Sequence, residues 1–122
     1  MIDYLKGSIE QVEDKYIVLE VNNIGYKIFM PNKDVKDNDK IYIYQKINET
    51  TRQLFGFKTI EERELFLKLL TIKGIGVMVS MTILGKGIEN CLEAIKNKDV
   101  KYFKTIPKIG DKTAQQIIEA LT

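Results

Sequence analysis

The feature that most constrains this chain is a change of hydrophobic period at Thr59. Before it, short runs rich in Val, Ile, Tyr and Phe alternate apolar with polar residues, the signature of half-buried strands. After it, apolar residues recur every three to four positions, the stripe of an amphipathic helix. Thr59 is followed three residues later by Glu62, a spacing that marks a helix start because the two side chains can serve the first free amides. A strand period and a helix period cannot share one layer. The expected fold class is therefore α+β, with a strand domain over residues 1–58 and an all-helical domain over residues 59–122.

Five strands are expected, about Ile2 to Ile9, Tyr16 to Val21, Ile24 to Met30, Lys40 to Ile47 and Arg52 to Phe57. Asn22-Asn23 suits a two-residue hairpin turn, since Asn tolerates positive φ. Five short antiparallel strands suggest a small barrel. The polar stretch Asn32 to Lys40 reads as a solvated loop. Alternating aromatics in the strands read as core, the other reading being a stacking platform for single-stranded bases.

The helical half contains a duplication. Thr71-Ile72-Lys73-Gly74-Ile75-Gly76 recurs 34 residues later as Thr105-Ile106-Pro107-Lys108-Ile109-Gly110, and helices are expected at Val77 to Leu84, Ile88 to Lys96 and Asp111 to Leu121. Two copies are too few for a solenoid, which needs about three to bury a continuous core. Each copy reads instead as helix, tight apolar-Gly turn, helix, the pattern of the helix-hairpin-helix DNA-binding motif. Glycine would permit positive φ and let a phosphate approach the backbone, and the free amides of the following helix form an anion site. The candidate DNA-binding residues are Lys73, Gly74, Ile75 and Gly76 in one turn and Lys108, Ile109, Gly110, Lys112 and Thr113 in the other.

Composition narrows the function. With 19 basic against 17 acidic residues the net charge is +2, so any DNA site is local. All but Arg52 and Arg63 of the basic residues are lysines, which favours point-charge contact with phosphate over bidentate reading of base edges. Histidine is absent, which removes the commonest general base and zinc ligand, and no catalytic residue, metal site or cofactor is expected. Gly110-Asp111-Lys112-Thr113 resembles the end of a phosphate-binding loop, but Asp111 separates the glycine from the lysine and no earlier glycine stands at the required place. A base-excision enzyme of the same motif would need a base-sized pocket, for which there is little room. The single cysteine, Cys91, excludes an internal disulfide and reads as buried packing. Without an apolar run near 18 residues or a signal-peptide start, the chain is expected to be cytoplasmic.

The ordered set Met1-Ile2-Asp3-Tyr4-Leu5-Lys6-Gly7, Gly25-Tyr26, Leu54-Phe55-Gly56-Phe57, Glu62-Arg63-x-Leu65-Phe66 and the two hairpins resembles the RuvA family, the Holliday-junction-binding subunits of the bacterial branch-migration machinery. The resemblance spans the whole chain. It implies an oligonucleotide-binding (OB) type barrel as domain I, a domain II with both hairpins, and a homotetramer that holds a four-way junction open by its phosphates. It also implies partnership with a RuvB-type AAA+ motor and a RuvC-type resolvase. The motor contact belongs in that family to a third domain, and the chain ends at Thr122 after the second hairpin, so the expectation is that it binds junctions without stimulating the motor. An acidic pair near the tetramer centre falls here on Glu49 and Thr50, keeping one acid of the pin.

Four hairpin positions depart from the family pattern. Val77-Met78 replace Pro-Lys after the first hairpin, leaving Lys73 to supply charge. Lys108 replaces the first glycine of the second hairpin. Asp111 replaces a lysine and reads as a helix N-cap, which leaves Lys112 as the main cation of that turn. The competing function is a generic DNA-binding adaptor without junction preference.

Overall fold

The computed structural model describes residues 1–122, which divide into two compact units, Met1–Arg63 and Glu64–Thr122. The first unit contains β1 (Tyr4–Leu5), β2 (Ser8–Val12), β3 (Tyr16–Val21), β4 (Ile24–Phe29), β5 (Ile41–Ile47) and β6 (Arg52–Phe57). Six strands stand where five were expected, because the run from Ile2 to Ile9 breaks at Lys6-Gly7. The break is steric and topological. A Cβ on Gly7 would lie 2.0 Å from the carbonyl oxygen of Glu20, so only glycine lets the chain pass this close to β3. On either side of it the chain changes partner: β1 pairs with β5 and β2 pairs with β3.

The sheet order β1-β5-β6-β4-β3-β2 puts the two halves of this bent first strand at opposite ends, and their continuity closes the sheet into an OB-type barrel. One neighbour pair is parallel, β4 with β6 through Ile28 opposite Leu54 and Phe29 opposite Phe55, which corrects the all-antiparallel expectation. β6 turns back from β5 and inserts between β5 and β4. Two strands separated by an antiparallel hairpin then meet in the same direction.

Strand alternation sorts the side chains. Ile17, Leu19, Ile28, Met30, Ile41, Ile43 and Leu54 form the buried cluster inside the barrel. The aromatics next to them in sequence point the other way, across four adjacent strands: Tyr16 to Phe29 (ring centroids 6.0 Å apart), Phe29 to Phe55 (5.6 Å) and Tyr44 to Phe55 (6.3 Å). The expectation that the strand aromatics are core holds for Phe55 and Phe57, which are buried, while Tyr16, Phe29 and Tyr44 stay partly exposed; the buried cluster inside the barrel itself holds no ring.

Asn22 and Asn23 both take positive φ, 51° and 67°, between the paired residues Val21 and Ile24, as a two-residue hairpin of right-handed strands demands. Closure through β1 rests on only two residue pairs, and Arg63 reinforces it. Its Nη1 donates to the carbonyl oxygens of Asp3 (2.8 Å) and Ile43 (3.1 Å), while Nη2 lies 3.0 Å from the Asp3 carboxylate.

Helix α1 (Ile60–Leu70) begins in the first unit and runs into the second. The amide of Glu62 donates to Thr59 Oγ1 (3.1 Å), so Thr59 is the cap. The second unit adds α2 (Val77–Gly85), α3 (Ile88–Lys96), α4 (Val100–Lys104) and α5 (Asp111–Leu121). Helix α4 was not expected; at five residues it is too short for a 3.6-residue period to register, and its one local signal is Asp99, whose Oδ1 accepts from the amide of Tyr102 (3.1 Å). α3 packs against α2, α4 and α5, burying Cys91, Ala94 and Ile95. Desolvation pushes the Cys91 thiol up to about 11, which leaves it an inert packing group.

Candidate nucleic-acid interface

The duplication in sequence is a duplication in structure, down to single hydrogen bonds. Residues 71–76 join α1 to α2, and residues 105–110 join α4 to α5. Thr71 and Thr105 each donate a hydroxyl to the carbonyl three residues back, both at 2.6 Å. The next residues follow suit: Ile72 to Leu69 at 3.1 Å and Ile106 to Phe103 at 3.1 Å, then Ile75 to Ile72 at 3.1 Å and Ile109 to Ile106 at 3.2 Å. The amides that open the second helices come last, Ser80 to the Gly76 oxygen (3.1 Å) and Ala114 to the Gly110 oxygen (3.0 Å).

Four isoleucines hold these turns down. Ile72 and Ile75 are buried in the first, Ile106 and Ile109 in the second, so the side chains of Ile75 and Ile109, taken from sequence as DNA-binding residues, face the interior. Only their backbone is left for a ligand. Lys73, Gly74 and Gly76 are exposed, as are Lys108, Gly110 and Lys112, while Thr113 is half-buried. None of the three lysines is engaged in a salt bridge.

The glycines play different parts from those expected. Positive φ falls on Gly74 (92°) and, at the matching place, on Lys108 (72°). A lysine there carries strain of about 1 kcal/mol that glycine avoids. Gly76 and Gly110 are extended, with φ of −99° and −98°, a conformation open to any residue. A Cβ on either would meet nothing within 4 Å. Neither glycine is required by the fold. What their bareness does is leave the backbone at the helix start approachable from outside.

Both glycines are N-caps without a side chain to accept from the amides beyond them, so the first amides of α2 and α5 have no capping acceptor. Asp111, read from sequence as the cap of α5, is corrected by this: the cap is Gly110, and Asp111 is the first helical residue. Its carboxylate turns instead to Lys104 Nζ, 2.8 Å away. Two free helix ends, one preceded by Lys73 and the other flanked by Lys108 and Lys112, are suited to bind anions spaced along a backbone. The unit Glu64–Thr122 carries nine lysines against six carboxylates, so the positive charge missing from the chain as a whole is concentrated where the hairpins are.

In the barrel, the turn between β5 and β6 is built by Asn48. Its Oδ1 accepts from the amides of Thr50 (3.1 Å) and Thr51 (2.9 Å), and its own amide donates to the Thr51 oxygen (3.0 Å). Glu49 stands exposed at the tip with no hydrogen bond or ion pair, so the turn does not depend on it. No helix is long and apolar enough to cross a membrane.

An OB-type barrel followed by two hairpins with matching hydrogen bonds and bare helix starts defines a tandem helix-hairpin-helix protein. Residues 1–56 match the RuvA N terminal domain and residues 66–122 match the SAM-like helix-hairpin-helix tandem. The "Holliday junction branch migration complex subunit RuvA" of Streptococcus uberis is 43% identical over 124 residues, covering 97% of this chain and 63% of that protein. Its counterpart from Lactobacillus johnsonii is 40% identical over 122 residues, with 97% and 64% covered. The chain belongs to the RuvA family, and it spans just under two thirds of the length of these relatives.

Proposed function

We propose that this chain binds four-way junction DNA without reading its sequence, as a non-catalytic subunit, and holds the junction open for branch migration. The observation that carries the reading is the pair of helix starts at Gly76 and Gly110, alike in φ and ψ, unhindered by any Cβ and uncapped by any side chain. Amides and lysines in this arrangement recognise phosphate wherever it occurs. In this reading Lys73, Gly74 and Gly76 serve one stretch of backbone and Lys108, Gly110, Lys112 and Thr113 another, with Ile75 and Ile109 contributing amides from above their buried side chains.

A homotetramer supplies eight hairpins for four arms, and places four copies of Glu49 near the crossover, where their charge turns strands apart. A RuvB-type motor and a RuvC-type resolvase are the partners proposed for the assembled complex. The deciding experiment is competition binding of a synthetic four-way junction, linear duplex and single strand of the same sequence, with native mass measurement of the complex. The junction is expected to win by about tenfold or more, and its affinity to fall steeply with salt, since each neutralised phosphate adds roughly −0.9 to the log–log slope. Equal affinity for junction and duplex would replace this reading by the generic adaptor.

A further inference from the structure

The second hairpin contains a group at odds with its neighbours. Asp111 is the first residue of α5, beside the amides left open by Gly110, and a carboxylate there would compete with and repel a phosphate. It does not stand free. Lys104, the last residue of α4, holds it at 2.8 Å across the hairpin.

The first hairpin provides an internal control. Thirty-four residues earlier the same two places are occupied by Leu70 and Val77, neither of which can bear charge. The hairpin fold therefore closes without an ion pair at this point. Stability does not account for the pair either: the Lys104 and Asp111 side chains are 43% and 70% exposed, and ion pairs this exposed add little. What the lysine changes most is the field at the start of α5, where an unpaired Asp111 would offset one of the nearby cations Lys108 and Lys112.

We propose that Lys104 is a positioning residue for nucleic-acid binding: it pins the Asp111 carboxylate against the end of α4 and cancels its charge, keeping the start of α5 open to a phosphodiester. The inference rests on the reading of the hairpins as phosphate sites. Lys104 acts here through Asp111 and not by touching DNA, which distinguishes it from Lys108 and Lys112.

The test is a double-mutant cycle on the full chain with a synthetic four-way junction at low salt, using Lys104→Leu, Asp111→Asn and the two combined, each checked by circular dichroism and thermal melting. Lys104→Leu is expected to weaken binding about fivefold, since one unscreened charge near a phosphate has an effect of this order. Asp111→Asn is expected to strengthen binding. In the Asp111→Asn background the loss of Lys104 is expected to cost no more than about twofold, the effect of one generic surface lysine. Lys104→Arg, which keeps the pair, is expected to stay near wild type and reports on the pair should the leucine variant fold poorly. An equal loss from Lys104→Leu in both backgrounds overturns the inference, because Lys104 would then contact phosphate itself. Coupling in melting temperature without coupling in affinity also overturns it. A wild-type chain without affinity for DNA of any shape would instead sink the hairpin reading, and this inference with it.

Discussion

Ser80 and Ala114 occupy the same place in the two hairpins, each donating its amide to the N-cap glycine oxygen, and both are fully buried. The Ser80 hydroxyl has no hydrogen-bond partner there. A buried unsatisfied hydroxyl costs about 1–3 kcal/mol, and alanine is the better helix former. Ser80→Ala is therefore expected to stabilise the protein by about 1 kcal/mol, read as a rise of a few degrees in melting temperature; an unchanged or lower midpoint would show that the hydroxyl is satisfied. Gly110 gives the opposite kind of prediction. Its extended φ and empty surroundings admit a valine, at a cost of about 1 kcal/mol or less for a poorer cap. The folded Gly110→Val protein is nevertheless expected to lose about tenfold or more in junction affinity, because in the proposed mode of binding the added methyl groups stand where phosphate approaches the amides. Wild-type affinity in that variant would mean that nothing approaches there.

At the scale of elements, the start of α1 holds the chain's one buried carboxyl group. Glu62 lies at 8% exposure, and desolvation raises its pKa from 4.5 despite the Thr59 hydrogen bond and the neighbouring Lys58 charge, which pull the other way. A carboxyl whose folded pKa is raised binds its proton more tightly in the folded state. Its contribution to stability is then fully present below pH 4.5 and is lost as pH rises through the raised folded value. Glu62→Gln keeps a capping side chain and removes the titration. The melting temperature of the variant is expected to exceed that of wild type at pH 7, with the gap closing toward pH 4. A gap independent of pH would place its origin outside this carboxyl. Helices α4 and α5 teach the complementary point: a five-residue helix exists because α3 and α5 pack on it, with Phe103 fully buried.

For the whole molecule, charge is distributed by unit. The barrel unit is close to neutral, with ten basic against eleven acidic residues, while the hairpin unit holds the basic excess. Glu49 stands at the tip of a turn that Asn48 maintains, and its side chain takes no part in holding that turn. Glu49→Lys is expected to leave melting unchanged, to raise affinity for linear duplex and to narrow the preference for a junction at low salt, where exposed charges are least screened. A duplex-to-junction affinity ratio within about twofold of wild type, on the order of 0.4 kcal/mol, would reduce Glu49 to a turn residue.

Much of this was legible in sequence because it depends on near neighbours. The period switch at Thr59, the Asn22-Asn23 hairpin and the duplicated turns are local patterns, and local patterns fix which side chains share a face. Four buried isoleucines at matching places in the two turns follow directly from that repeat. The rest depends on groups far apart in the chain. The first strand breaks at Gly7 because Glu20 passes behind it, and β4 meets β6 in parallel because a hairpin inserts between strands. Gly76 and Gly110 are extended N-caps, and Asp111 faces Lys104 instead of capping its helix, because the packed turn brings the end of α4 beside the start of α5. Sequence by itself determined which elements form and that the hairpins come in a pair. Tertiary structure decided which backbone is left bare, since exposure belongs to the packed chain and not to any residue in it.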